Sequence, residues 1–327
     1  AQRFGLGTAT AQIALEKIAG LGRLLQGEFL PGRRGREWTD PQVLRLLKRR
    51  SLAQLRKEIE PVEQAALVRF MPAWQFVREP RRGLDGLLDA IELLQGLPLP
   101  LSALESDILP SRVHNYQPSD LDELCAAGEV IWRGFESLGA DDAKIAIYLT
   151  DHVTQLAPDP VPVDTASVQA ILELLDQRGA LFFDEIAATL GGFRNDVLQS
   201  LWQLVWAGHL TNDTFGPLRS RRKQPHKANH RPRGGRFRSR RASQLPGSEG
   251  RWARLPTASP NEVTSRSLKI ASQLIQRYGV LTREMVHSES IRGGFARVYP
   301  VLKAMEEAGK IRRGYFVAGL GAAQFAA

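Results

Sequence analysis

The stretch Leu302–Phe316 reads LKAMEEAGKIRRGYF, and three other stretches follow its plan: Leu15–Phe29 (LEKIAGLGRLLQGEF), Leu121–Phe135 (LDELCAAGEVIWRGF) and Leu201–Phe215 (LWQLVWAGHLTNDTF). Each opens with Leu and sets an apolar residue three positions on (Met305, Ile18, Leu124, Leu204). Each then reaches a Gly (Gly309, Gly22, Gly128, Gly208) and closes on Phe. Apolar residues three and four apart give a helix one buried face. Gly just past them suits the left-handed turn that ends a helix. The β-formers beyond it, with a further Gly at Gly27, Gly134 or Gly314, suit a hairpin. Helix, Gly and hairpin form the second half of a winged helix, its last helix and its wing. Repetition at fixed offsets strengthens that reading, since internal repeats mark the architecture. The glycines are 106, 80 and 101 residues apart, so each interval holds one small domain and a connector. The expected fold class is mostly α with small β-hairpins (α+β), built as tandem winged-helix modules.

Taken in order, residues 1–39 read as a partial winged helix, with a helix over Thr8–Leu21, a strand near Arg23–Phe29 and a return strand near Arg36–Trp38. Residues 40–80 read as a helical connector that starts at Asp40-Pro41, with Asp as cap and Pro in the first turn. Residues 81–160 form a winged helix with helices at Leu84–Gln95, Ser102–Asp107 and Pro118–Ala127, and a wing from Glu129–Phe135 and Lys144–Leu149. Its Pro-rich end, Asp151–Val163, reads as a linker. Residues 161–218 repeat the plan with Ala166–Arg178, Asp184–Leu190 and Asn195–Ala207. Residues 219–255 lack apolar periodicity and read as a basic disordered linker. Residues 256–327 form the last winged helix, with Glu262–Tyr278, Thr282–His287, a third helix ending at Ala308, and a wing at the chain end. Pro300 requires that third helix either to start near Tyr299 or to kink.

At 327 residues and 43% apolar content the chain can bury several modest cores. It has no apolar run of the roughly 18 residues that suggest a membrane span, so no membrane partner is expected. It opens without Met or a signal segment, reads as a piece of something longer, and fits the cytoplasm. A single cysteine, Cys125, excludes an internal disulfide framework. Net charge is +9, yet Arg219–Arg241 alone holds eleven Lys and Arg with no acid. Subtracting those eleven from +9 leaves −2 for the rest, so the basic character belongs to one tract.

The words GREW, KRRSLAQLRKEIEPVE, RFMPAWQ, LDELCAAGEVIW, LWQLVWAGHLTNDTF and GGFARVYPVLKAMEEAGKIRRGYFVAGLGAAQFA resemble the bacterial large helicase-related proteins (Lhr) across the chain, apart from the basic tract. The resemblance implies a parent with an ATP-dependent superfamily 2 helicase core, C-terminal winged helices and a terminal barrel. It also implies ATP and Mg2+ for the upstream motor, action in DNA repair, and partners that include DNA, RNA–DNA hybrids and the upstream helicase core. This chain has no cofactor site of its own: Gly309-Lys310 has Ala304 where a phosphate loop needs Gly and Ile311 where it needs a hydroxyl. A uracil-DNA glycosylase activity is associated with the C-terminal part of the family. The related glycosylases carry Gln-x-Asp or Gln-x-Gln in a wing-like strand, whereas Gln324-Phe325-Ala326 ends in Ala, so no catalytic residue is carried over. A glycosylase module completed by a barrel, or a homo-oligomerisation scaffold, are the alternatives to a DNA-engaging array.

The candidate nucleic-acid contacts follow from charge. In the tract they are Arg219, Arg221, Arg222, Lys223, Arg231, Arg233, Arg236, Arg238, Arg240 and Arg241. Such cations neutralise phosphates without sequence preference, on single-stranded or duplex DNA; the alternative is a solvated linker. In the last unit they are Arg292, Arg297 and Lys303 near the third helix, and Lys310, Arg312, Arg313 and Tyr315 on the wing. Lys48, Arg49, Arg50, Arg56 and Lys57 form a further basic cluster in the connector, where a solvated face is the alternative. The third helix at Ser119–Ala127 carries Asp120, Asp122 and Glu123, which repel phosphate and suggest a structural or protein-contact role. Trp202 and Trp206 suit a core better than base stacking. The six histidines show no metal-ligand spacing, and the His226/His230 pair lies in the basic tract, so no metal site is expected.

Overall fold

The structure, a computed structural model, describes residues 3, 5–30, 32, 35–57, 59–139, 142–222, 245–258, 263–289, 291–321 and 323–327. An N-terminal piece holds helix α1 (Thr8–Gly20) and a hairpin of β1 (Leu25–Gly27) and β2 (Glu37–Thr39). Helices α2 (Pro41–Lys57) and α3 (Gln64–Trp74) follow. The first complete winged helix runs β3 (Arg81–Arg82), α4 (Gly83–Leu94), β4 (Leu99–Pro100), α5 (Leu101–Ala103), a π turn at Leu104–Ile108, β5 (Val113–His114), α6 (Pro118–Ala126), β6 (Val130–Ser137) and β7 (Ala143–Leu149). A 3-10 turn and α7 (Val153–Leu156) lead to the second unit. That unit comprises α8 (Ala166–Arg178), β8 (Leu181–Phe182), α9 (Phe183–Leu190), α10 (Arg194–Trp206), β9 (Leu210–Asn212), α11 (Gly216–Arg222) and β10 (Arg251–Arg254). The last unit comprises α12 (Val263–Tyr278), β11 (Val280–Leu281), α13 (Arg283–Ser288), α14 (Gly294–Glu307), β12 (Arg312–Gly314) and β13 (Gln324–Ala326). The sheet orders β4–β7–β6, β8–β10–β9 and β11–β13–β12 are equivalent. In each, the short strand after the first helix pairs antiparallel with the second wing strand.

The repeat that organises the sequence is a helix-ending device. All four glycines are left-handed, Gly22 at φ +73°, Gly128 at +80°, Gly208 at +79° and Gly309 at +74°. The residue after each Gly donates its N–H to the carbonyl of the repeated apolar residue. These bonds are Arg23 to Ile18 (3.3 Å), Glu129 to Leu124 (3.1 Å), His209 to Leu204 (2.9 Å) and Lys310 to Met305 (2.9 Å). They occupy carbonyls that the helix end leaves open, and they aim the chain into the wing.

One continuous core runs through the first two complete units, from Leu87 and Trp132 to Leu201 and Trp252. The last unit has a separate core around Leu274, Leu302 and Phe325. Neither α1 nor α2 has a fully buried residue. The last unit docks on the first through polar side chains. Arg277 on α12 donates Nε to the Leu93 carbonyl (3.0 Å) and Nη2 to the Gln95 carbonyl (2.5 Å). Gln273 donates to the Glu92 carbonyl (2.8 Å), and the Gln95 amide donates to the Gln273 side-chain oxygen (2.8 Å). Two side chains of α12 thereby satisfy carbonyls at the C-terminal end of α4, groups that would otherwise be buried without partners.

Several sequence expectations change. The stretch read as a linker over 219–255 begins inside α11 and ends in β10. The cause is Trp252, fully buried 5.6 Å from the Trp202 ring, which draws Arg251–Arg254 into the second wing. Residues 223–244 lie outside the described residues. Asp151–Val163 is not all linker, because Val153 is buried and α7 packs on α12. The last third helix starts at Gly294, not near Tyr299, and runs through Pro300, whose ring is exposed.

Candidate nucleic-acid interface

A winged helix meets nucleic acid with its third helix and wing, so the question is what each third helix presents. Helix α6 is tied to the second unit and exposes Ser119, Glu123 and Ala126. Its Asp122 accepts from Arg219 Nη1 (2.5 Å) and from the Phe215 backbone N–H (2.8 Å). Arg219 Nη2 also donates to Glu105 (2.7 Å), which accepts from the Tyr116 hydroxyl (3.2 Å). Burial opposes the charge on Arg219, but the bonds to Glu105 and Asp122 outweigh it and hold its pKa above the ordinary value. Of the three acids on this helix, Asp122 joins Glu105 in the latch that binds the first unit to the second, and Asp120 accepts from the Gln117 N–H at the helix start (2.9 Å).

Helix α10 is engaged as well. Trp202 is buried and stacks on Trp206 at 5.2 Å, as core residues. A Cβ on Gly134 of β6 would lie 2.7 Å from Val205 and 2.9 Å from Trp206, so the wing of the first unit lies directly on the end of α10. Thr211 donates to the Trp132 carbonyl (2.8 Å) across the same seam. Arg133, buried there, has its pKa lowered by desolvation.

Helix α14 differs. Ala296, Pro300, Lys303 and Glu307 are exposed and fall on one stripe of it. The small side chains Ala296 and Pro300 leave room for close approach. Beside the stripe, a groove of ≈ 850 Å³ runs between α13 and α14, with Arg283, His287, Phe295 and Tyr299 in its walls. Lys310 and Arg312 are exposed on the adjoining wing, and among the described residues neither has a carboxylate within 4.0 Å.

The sequence-predicted cations therefore divide. Arg219 is spent on Glu105 and Asp122, which corrects its reading as a phosphate contact. Arg221 lies over the Trp202 ring at 4.9 Å, with its pKa lowered by burial, and only Arg222 of the three is exposed. Lys223, Arg231, Arg233, Arg236, Arg238, Arg240 and Arg241 lie outside the described residues. Arg292 and Arg297 line a cavity of ≈ 330 Å³ between the first and last units, and Arg292 is exposed. Lys303 lies 3.9 Å from Glu307 on the open stripe. Arg313 is half-buried, 5.4 Å from the Tyr299 ring and 5.9 Å from Phe325, and so pins the wing. Tyr315 is exposed, and its hydroxyl accepts from the Gly319 N–H (2.7 Å). Among the described residues no helix is long and apolar enough to cross a membrane, and no cluster of ligands could hold a metal ion.

Gln324, the first residue of the Gln-x-Ala word, holds the wing loop together. It is fully buried. Its oxygen accepts from Phe316 and Val317 N–H (2.9 and 2.8 Å), and its amide donates to the carbonyls of Val317, Leu320 and Gly321 (2.7, 3.0 and 3.0 Å). One side chain thus knots the whole wing loop. Sequence reasoning missed this role, and also missed Asp122 and Glu105 as partners of Arg219.

Residues 62–150 and residues 260–327 each match a family model described as large helicase-related protein, winged-helix domain. The chain is 43% identical over 341 residues to an Lhr helicase/probable uracil glycosylase of Mycolicibacterium smegmatis. It is 33% identical over 365 residues to the Lhr helicase/uracil glycosylase of Escherichia coli. Both alignments take in 100% of this chain and 23% of the relative, so the chain spans about a quarter of the length of the curated relatives it matches. Repeats, fold and both kinds of similarity agree: the chain belongs to the large helicase-related (Lhr) family, of which it carries a C-terminal part.

Proposed function

We propose that this chain is the nucleic-acid-engaging winged-helix array of an Lhr-type superfamily 2 DNA helicase that acts in DNA repair. It holds DNA, single-stranded or duplex and without sequence preference, for a motor that lies upstream and uses ATP and Mg2+. An RNA–DNA hybrid presents the same phosphates. The supporting observation is an asymmetry. Helices α6 and α10 contact the neighbouring unit and expose faces with Glu123 and Asp196 on them, whereas α14 and its wing keep Lys303, Lys310 and Arg312 exposed. The first two complete units then serve as a stiff arm, and the last as the contact. The basic tract adds cations that track the backbone.

The test is affinity for single-stranded and duplex DNA against salt, for this chain and for a version with Lys223–Arg241 replaced by a neutral linker of equal length. Expected is a salt-sensitive affinity that the replacement weakens and does not abolish. No binding by the unaltered chain at low salt would overturn the proposal.

A further inference from the structure

The basic helix α2 is not part of any winged helix, and its charge is one-sided. It carries Arg45, Lys48, Arg49, Arg50, Arg56 and Lys57 and no acid. At 3.6 residues per turn, Arg45, Lys48, Arg49, Leu52 and Arg56 fall within an arc of about 100°. Arg45, Lys48 and Arg49 are exposed, and among the described residues none of them has a carboxylate within 4.0 Å.

The far end of the same stripe is fixed to the last unit. Arg56 donates Nε and Nη2 to Glu306 at 2.9 and 2.5 Å, and the Glu306 side chain is 2% exposed. Just beyond the helix, Ile59 sits so close to Gly314 that a Cβ there would collide with its Cδ1. Val62 then forms a parallel bridge with the wing loop: its N–H donates to Phe316 O, and its carbonyl accepts from Ala318 N–H, both at 2.8 Å. These contacts join positions roughly 250 residues apart and make α2 an extension of the last wing. From Arg45 to Arg56 the helix rises about 16 Å, a length over which a duplex presents several phosphates on each strand.

We infer that the Arg45–Lys48–Arg49 stripe and the wing cations Lys310 and Arg312 form one continuous surface for the phosphate backbone of duplex DNA. The inference rests on the DNA-engaging reading and adds a second contact to it, outside any winged helix. The charge complementarity is specific to this stripe, because Glu306, the acid at its end, is already neutralised by Arg56.

The experiment uses this whole chain with Arg45→Gln/Lys48→Gln/Arg49→Gln, and a charge-retaining variant Arg45→Lys/Arg49→Lys. Affinity for a duplex is measured from 50 to 200 mM salt, alongside thermal melting to confirm that the fold is kept. Each lost phosphate contact lowers the slope of log affinity against log salt by about 0.9. The triple Gln variant should therefore flatten the slope by about 2 to 3, with the charge-retaining variant close to the unaltered chain. An unchanged slope in the triple variant, with the unaltered chain binding normally, overturns the inference and leaves the DNA-engaging reading standing. Loss of binding to vesicles of anionic lipid with an unchanged DNA slope assigns the stripe to a membrane surface and also overturns it. Absence of duplex binding by the unaltered chain removes both.

Discussion

Arg219→Ala tests the latch between the first two complete units. The Arg219 side chain is 20% exposed, and those of Glu105 and Asp122 are 11% and 30% exposed. Removing one partner of a fully buried ion pair costs about 3–5 kcal/mol, because the other charge is stranded. An exposed pair contributes only about 0–1 kcal/mol. With Glu105 nearly buried and Asp122 partly in water, the expected loss is about 2–3 kcal/mol. The Tyr116 hydroxyl and the Phe215 N–H still donate to the two carboxylates and limit the damage. The two units share one core, so the loss should appear as a lower urea midpoint at unchanged slope for their common transition. Adding Glu105→Gln should recover about 1 kcal/mol, since a neutral amide is cheaper to leave unpaired than a carboxylate. The salt dependence of DNA affinity should not move. A loss below about 0.5 kcal/mol, together with a flatter salt slope, would show that Arg219 faces phosphate and would refute the reasoning.

Other outcomes follow from the same structure. Gly128→Ala and Gly208→Ala both place a side chain at positive φ, but the first meets open space and the second meets the buried Arg133 guanidinium. Gly128→Ala should cost about 1 kcal/mol and Gly208→Ala at least twice that, as measured by denaturant unfolding. Gln324→Ala removes five bonds from the wing loop, and should cost about 3 kcal/mol and open residues 315–321 to protease. Burial pushes the Cys125 thiol up to about 12, so aromatic disulfide reagents should label it at pH 8 only on unfolding. Burial opposes the charge on Asp142, but bonds from Ser102 and Ala143 outweigh it and hold its carboxyl below the usual range. Its contribution is therefore full above the unfolded carboxylate pKa and is lost as pH falls through the lowered folded value. Asp142→Asn should flatten that acid limb in a pH series of melting temperatures.

What could be read in the sequence was local. The Leu, apolar, Gly and Phe spacing is a helix-ending motif whose hydrogen bond joins residues five apart, so the pattern carries its own geometry. The acidic character of the third helix at Ser119–Ala127 could be read because its charges adjoin in sequence. What could not be read was distant pairing. Arg219 sits at the head of a basic tract, and nothing near it reveals Glu105, 114 positions away. Arg251–Arg254 reads as linker because two of its four residues are Arg, and only Trp252 hinted at burial. The bridge from Val62 to Val317 spans about three-quarters of the chain, so the union of the connector with the last wing is a property of the fold alone. Arg292 and Arg297 lie at the start of the third helix, as their sequence positions indicate, but the cavity between units that they line could not be read there.

The most direct measurement is the salt dependence of duplex affinity for Lys303→Gln/Lys310→Gln/Arg312→Gln beside Arg178→Gln/Arg194→Gln, which changes two exposed cations of the second unit outside the basic tract. If the last unit is the contact, the first set should flatten the slope by about 2 to 3 and the second should leave it within about 0.5 of the unaltered chain. Equal flattening by both sets, or flattening by the second alone, would contradict the account.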